Sequence, residues 1–273
     1  MEQIEFYKMN GCGNDFILID NREGLVSEKE MSRMVPRICR RRESVGADGV
    51  IFVIHSKQYD FGWRFFNADG GEAEMCGNGS RCVARFAYIK KIAGSKMTFE
   101  TLAGPIAAEV LDRTVKVRMP LPHDLKQNLA LALEPGWSWV DFLNTGVPHT
   151  VIQVEDLVHC PVKEKGRVIR HHALFTPQGS NANFIRISGP DCLEIRTYER
   201  GVEDETLACG TGSMAAALLA AERNLVKSPV TVKTRSDENL LFYFQKDRNG
   251  FSEVWMEGPT AIGFEGYLHP EAF

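Results

Sequence analysis

Two stretches of this chain place a cysteine in the same chemical setting. Cys76-Gly-Asn-Gly-Ser and Cys209-Gly-Thr-Gly-Ser each open an apolar run, and each follows a glutamate four residues upstream, Glu72 and Glu205. A cysteine at the start of a helix faces unpaired backbone N–H groups and about half a positive charge from the helix dipole, which favours its thiolate. Such a thiol can titrate between roughly 3.5 and 7.5 instead of near 8.5. The neighbouring glycines leave the N–H groups open to a carboxylate. One such site suggests a nucleophile or an anion pocket. Two, related by repetition, suggest a pair of bases on opposite faces of one carbon: a thiolate takes a proton from one face, a thiol protonates the other, and the stereocentre inverts. The N–H groups of Gly77, Asn78, Gly210 and Thr211 would then hold the substrate's carboxylate. Charge spreads into that carboxylate as the carbanion forms, so fixed donors there stabilise the transition state more than the ground state. No cofactor is expected for this chemistry.

The elements that position these cysteines follow from the rest of the pattern. Short β-rich runs with Gly, Asn, Asp and Pro at their boundaries predict antiparallel or mixed sheet. They include Ile17 to Asp20, Val50 to His55, Trp63 to Asn67, Val151 to Glu155, Asn183 to Ile187 and Leu193 to Thr197. One helix is predicted from Ser27, where Ser27 and Glu30 have capping-box spacing, toward Arg42, with Pro36 as a kink or early stop. Apolar helices are predicted after Cys76 and after Cys209. The repeat implies an α/β (α+β) fold of two pseudo-symmetric halves, each a mostly antiparallel or mixed sheet around one central apolar helix. The expected halves are 1–119, completed by a strand near 263–273, and 120–262, with the active site in the cleft between them. The stretch from Leu121 to Pro135 shows no clear period and reads as a connection.

Composition removes other classes. The chain has 273 residues, a net charge of −4, 44% hydrophobic and 25% charged residues, an ordinary globular balance that argues against a disordered tail, a fibre or a nucleic-acid binder. The longest apolar run, Met214 to Ala221, is 8 residues, against about 20 for a bilayer-spanning helix. No membrane partner is expected. The opening Met-Glu-Gln-Ile-Glu-Phe-Tyr-Lys has neither signal nor transit character, so a cytoplasmic location is expected. Seven cysteines with no C-x-x-C pair read as reduced thiols without a metal site. Cys39, Cys82, Cys160 and Cys192 read as core fillers. Gly210-x-Gly212-x-x-Ala215 fits a dinucleotide fingerprint but lacks a clear βαβ context and has a cysteine directly before it.

Six motifs in order along the chain then resemble one family. Lys8-Met-Asn-Gly-Cys-Gly-Asn-Asp-Phe16, Phe66-Asn-Ala-Asp-Gly70, Glu74-Met-Cys-Gly-Asn-Gly-Ser-Arg81, Thr145-Gly-Val-Pro-His149, Asn181-Ala-Asn-Phe184 and Tyr198-Glu-Arg-Gly-Val to Ala208-Cys-Gly-Thr-Gly212 closely resemble the diaminopimelate epimerases. The resemblance implies cofactor-free interconversion of LL- and meso-2,6-diaminopimelate, an isomerase of lysine and peptidoglycan-precursor biosynthesis, and a homodimer. It implies Cys76 and Cys209 as the acid–base pair and Asn14, Asn67 and Asn181 as substrate-orienting amides. Glu199 and Arg200 would engage the substrate's ammonium and carboxylate, and His149 would support a wall of the site. Two departures stand out. Val147 occupies a position where many members have asparagine, and the 201–208 loop is one residue longer than in some relatives. Distal substrate contacts differ accordingly, so another cofactor-independent racemase of this fold, acting on histidine or glutamate, is the enzyme alternative. An idle amino-acid-binding relative is the non-enzyme alternative.

Overall fold

The order of strand pairings is written twice along the chain. A computed structural model describes residues 3–131, 135–248 and 250–272. It separates the chain into two compact units, Met1–Val117 with Gly258–Phe273, and Arg118–Glu257.

In the first unit β1 (Ile4–Gly11) and β2 (Asn14–Asp20) form an antiparallel hairpin, with Cys12 and Gly13 turning at φ 54° and 78°. The chain passes through α1 (Glu28–Ile38) to β3 (Gly49–Ile54), parallel to β2, and returns antiparallel as β4 (Phe61–Asn67). Helix α2 (Gly77–Ile89) leads to β5 (Lys96–Thr101), parallel to β4, and an antiparallel meander follows through β6 (Gly104–Leu111) and β7 (Thr114–Arg118).

The second unit repeats this order. After β8 (His123–Lys126) comes the antiparallel pair β9 (Trp137–Asn144) and β10 (Pro148–Val154), then α3 (Val162–Arg170) and β11 (Asn181–Gly189), parallel to β10. Antiparallel β12 (Cys192–Glu199) is followed by the short β13 (Asp204–Thr206) and α4 (Gly210–Glu222). Then come β14 (Val230–Lys233), parallel to β12, and antiparallel β15 (Asn239–Asp247) and β16 (Gly250–Pro259). Finally β17 (Ala261–Leu268) pairs with β1 in the first unit as β8 pairs with β9 in the second.

Each unit is built on its cysteine-capped helix. In α4 every residue from Gly212 to Ala221 is buried, because the helix is apolar on all sides and packs against β9, β10, β11, β12, β14 and β15. Helix α2 is buried from Asn78 to Ala84 and again at Phe86 and Ala87, and packs on β1, β2, β3 and β6. Both are 13 residues long. The peripheral helices are amphipathic. Met31, Met34, Val35 and Ile38 of α1 join Ile17, Ile19, Val50, Phe52 and Phe66 in one core, while Val162 and Ile169 of α3 join Ile152, Phe184 and Tyr198 in another.

The predicted first helix begins as expected, with Glu30 accepting from the Ser27 N–H at 3.1 Å. Pro36 lies inside its last turn, and the helix stops at Ile38 instead of Arg42. The stretch read as a connection holds a strand: β8 pairs His123 with Asn144 and Lys126 with Phe142. All four of its residues are exposed, so it lacks the alternation that marks a half-buried strand; Ala132 to Glu134 of the same stretch lie outside the described residues. Helix α3 went unread because Gly166 interrupts it. That glycine sits where a Cβ would come within 2.3 Å of the Tyr198 Cβ, so it lets α3 lie directly on β12. Gly166→Ala should therefore overpack this contact and cost about 1–3 kcal/mol, despite the better helix propensity of alanine. A Tm equal to or above that of the parent chain would contradict this packing account.

Candidate active site

The two cysteines occupy the same structural position. Cys76 is the N-cap of α2, with extended backbone at φ −143° and ψ 118°, and its Sγ accepts from the Gly79 N–H at 3.4 Å. Cys209 is the N-cap of α4 at φ −126° and ψ 109°. At Cys76 the side chain thus caps a first-turn N–H group, the electrostatic setting anticipated for it, whereas the Cys209 side chain makes no such cap bond and shares the backbone position only. Cys76 is half-buried and Cys209 is buried.

Around Cys76 the first unit gathers Asn14, Gly77 and Asn78. The Cys76 thiol reaches the Asn14 Oδ1 at 3.7 Å. The Asn14 Nδ2 donates to Asp48 Oδ2 at 2.7 Å. A carboxylate only accepts, so this bond fixes which end of the amide faces the sulfur. Arg41 in turn bridges Asp48 and Asp15, at 2.8 and 2.6 Å, and Lys8 also reaches Asp15, at 2.8 Å. The two cations hold the Asp15 carboxyl down at about 2 against the opposing effect of burial. Arg81 is fully buried. Its Nη2 donates to the Cys12 Sγ at 3.3 Å and to the Asn78 Oδ1 at 2.9 Å, and its Nη1 to the Gly77 carbonyl at 3.4 Å. It thus ties the β1–β2 turn to the first turn of α2. Asn67 ends β4 and is exposed.

Around Cys209 the second unit gathers Thr211, His149 and Asn183. The Asn183 Nδ2 donates to the Thr150 carbonyl at 3.0 Å, which orients the amide, and the same nitrogen meets the His149 Nδ1 at 3.2 Å. Nδ1 must accept there, so the ring proton sits on Nε2, 3.0 Å from the Thr211 Oγ1. Thr211 receives that bond, and the same Oγ1 lies 3.5 Å from the Cys209 Sγ. Complete burial, reinforced by the positive charge of Arg200, drops the His149 pKa to about 3, so the ring is neutral. Gly212 permits this network, since a Cβ there would lie 2.3 Å from the Asn183 Oδ1.

The remaining expected residues lie at the end of β12. Burial raises the Glu199 carboxyl above the ordinary range. The Arg200 side chain donates from Nη1 to the Gln178 carbonyl at 3.2 Å. Asn181 is buried and its amide is engaged on both sides: Nδ2 donates to the Pro148 carbonyl at 2.9 Å, and Oδ1 accepts from the Arg200 N–H at 2.8 Å. It links the start of β11 to Arg200 and to the Pro148-His149 corner.

Sequence reasoning missed Arg81, Asp48, Arg41 and Asn183. Arg81 closes the motif Glu74 to Arg81 but drew no role of its own, and nothing local marks Asp48. Asn183 lay within a quoted motif, Asn181-Ala-Asn-Phe184, and period-2 alternation from Asn181 could have flagged it. Arg41, near the expected end of the first helix, links the two carboxylates behind Asn14. Cys39, Cys82 and Cys160 are buried as expected, whereas Cys192 is half-buried. Burial pushes the thiols of Cys39 and Cys82 up to about 12, which leaves them inert. Among the described residues no helix is long and apolar enough to cross a membrane.

Known proteins resemble this chain over nearly its whole length. A family model described as diaminopimelate epimerase matches residues 6–122 and 142–262. The diaminopimelate epimerase of Aquifex aeolicus (strain VF5) is 45% identical over 278 residues, covering 98% of this chain and 99% of its own. That of Methanothrix thermoacetophila is 41% identical over 283 residues, covering 99% and 98%. Among solved structures, a Bacillus anthracis protein of the PhzF family matches with a TM-score of 0.76 at 18% identity, covering 98% of this chain and 100% of its own. A hydroxyproline epimerase from Agrobacterium vitis with bound trans-4-OH-L-proline matches at 0.66 and 13%, covering 98% and 93%; at these identities both share the fold alone. The conserved-length match and the identity to the curated enzymes place this chain in the diaminopimelate epimerase family.

Proposed function

We propose that this protein interconverts LL- and meso-2,6-diaminopimelate by a two-base mechanism in which Cys76 and Cys209 exchange protons with the α-carbon. The observation that carries the reading is the duplicated N-cap: a family member that needed one reactive thiol would not hold a second in the same position of the second unit. The reading requires the two sulfurs to approach opposite faces of one carbon. One sulfur removes the α-proton as a thiolate, and the other delivers its own proton to the opposite face. The N–H groups of Gly77, Asn78, Gly210 and Thr211 receive the carboxylate as it takes up carbanion charge, and one such donor is worth about 3–4 kcal/mol where it has been measured.

The other side chains divide between substrate and sulfur. Asn14 and Asn67 orient the substrate from the first unit, and Glu199 and Arg200 engage its ammonium and carboxylate from the second. Asn181 acts from behind, by holding the Arg200 backbone. His149, kept neutral, supports Cys209 through Thr211. Val147 offers no hydrogen bond to the distal end of the substrate, which leaves recognition there to other groups. The enzyme works in the cytoplasm, in the route to lysine and the peptidoglycan cross-linking residue. It works as a homodimer, a state to which the exposed Ile262, Phe264 and Tyr267 of β17 would contribute.

Turnover of LL-diaminopimelate in heavy water should yield meso product with deuterium at the inverted α-carbon. Cys76→Ala and Cys209→Ala should each lower kcat by about 10²–10⁴-fold or more while circular dichroism stays that of the folded chain. Product free of solvent isotope, or an active alanine variant, would sink the two-base reading. Histidine and glutamate offered in the same assay should show no exchange at their α-carbons.

The buried imidazole gives a second test. Unfolded, His149 takes up a proton near pH 6.5; folded, only near 3. Between those values the unfolded chain binds more protons, so the stability that His149 contributes is complete above about 6.5 and is lost as pH falls toward 3. Its ring Cε1–H resonance should hold the neutral position from pH 8 down to 5, and a midpoint near 6.5 would refute this environment.

A further inference from the structure

The glutamate four residues before each cysteine belongs neither to the acid–base pair nor to the anion cradle, yet both copies are held alike. In the first unit Arg64 on β4 grips Glu72 with two parallel contacts, Nε to Oε1 and Nη2 to Oε2, the second at 2.9 Å. In the second unit Arg196 on β12 grips Glu205 by the same atoms at 2.7 and 2.9 Å. The arginines occupy equivalent places, three residues before β4 ends at Asn67 and three before β12 ends at Glu199.

The backbone around the two forks matches as well. Phe66 of β4 forms an isolated antiparallel bridge with Glu72. In the second unit β13 lays Glu205 opposite Tyr198 and Thr206 opposite Thr197. Each fork therefore pins the segment that delivers a cysteine to its helix against the strand that ends in a substrate-orienting residue. Two-point arginine–carboxylate pairs fix direction as well as distance. The second fork is the more enclosed: the Glu205 side chain is 8% exposed, and Arg196 Nη1 also donates to the carbonyls of Leu157, Val158 and Cys160 at 2.9, 3.0 and 3.0 Å. Arg64 adds a contact to Glu28 at 3.0 Å.

We infer that Arg64–Glu72 and Arg196–Glu205 are twin positioning pairs, each setting the reach of its own cysteine, Cys76 for the first and Cys209 for the second. The inference rests on the proposed acid–base roles of these thiols, and its test reads each thiol directly. Glu72→Ala and Glu205→Ala are compared with the parent chain, beside Glu72→Gln and Glu205→Gln, which keep one leg of each fork. Alkylation by limiting iodoacetamide is followed peptide by peptide by mass spectrometry, and kcat and KM are measured for LL-diaminopimelate.

Glu72→Ala should change the alkylation rate of Cys76 roughly threefold or more and leave that of Cys209 at the parent value, with Glu205→Ala giving the mirror result. Because a displacement of about 1 Å at a reacting group can cost about 10²-fold, kcat should fall roughly 10–100-fold with KM within about threefold. The glutamine variants should lie between. A change shared by both cysteines would mean general loosening and would overturn the assignment, as would unchanged rates with unchanged kcat. Where an alanine variant does not fold, the glutamine variant at that site decides by the same per-cysteine rates. Absence of deuterium in the product of the parent enzyme would remove the proposed reaction while leaving the alkylation comparison valid.

Discussion

A helix cannot satisfy its own first-turn N–H groups, and this protein places a cysteine at that end of a helix twice. The Sγ of Cys76 accepts from Gly79, and Cys209 holds the same N-cap place. Serine or aspartate would cap as well, but neither combines an exchangeable proton near neutral pH with such a polarisable anion. The glycines follow from the same constraint, since anything that must approach these N–H groups needs bare backbone beside the cap. The apolar helix bodies follow too. A helix whose end is to serve as a fixed electrostatic feature must not shift along its axis, and α2 and α4 are held by burial on every side.

The surroundings of the two sulfurs are built from different residues. Near Cys76 the chain uses charge: Arg41 and Asp48 set the Asn14 amide, and the buried Arg81 guanidinium ties turn to helix. Near Cys209 it uses neutral groups: Asn183, His149 and Thr211 form a single hydrogen-bonded chain ending at the sulfur. Duplication preserved the backbone and let the polar shells diverge.

What could be read from the residues was what repeats locally. Cys-Gly-x-Gly-Ser before an apolar run announces both a cap and a core helix, and Ser27 with Glu30 announces the start of α1. Long-range partners left no such mark. Asp48 lies 34 residues from Asn14 and Arg81 69 from Cys12, and only folding shows that they meet. Helix α3 escaped because the glycine at its centre weakens the helical pattern for the sake of Tyr198. Strand β8 escaped because all four of its residues are exposed, so no alternation marks it. Asn181 illustrates a further limit: its motif marked it as important, while its hydrogen bonds show that its amide is spent on backbone.

The uniform apolarity of α4 also shapes how the second unit comes apart. A helix with a polar side can float off its sheet and still face solvent, whereas one walled by alanine, leucine and methionine has no orientation that water tolerates. Partial melting around it would uncover a sticky cylinder, so the helix favours cooperative unfolding of its unit over release by itself.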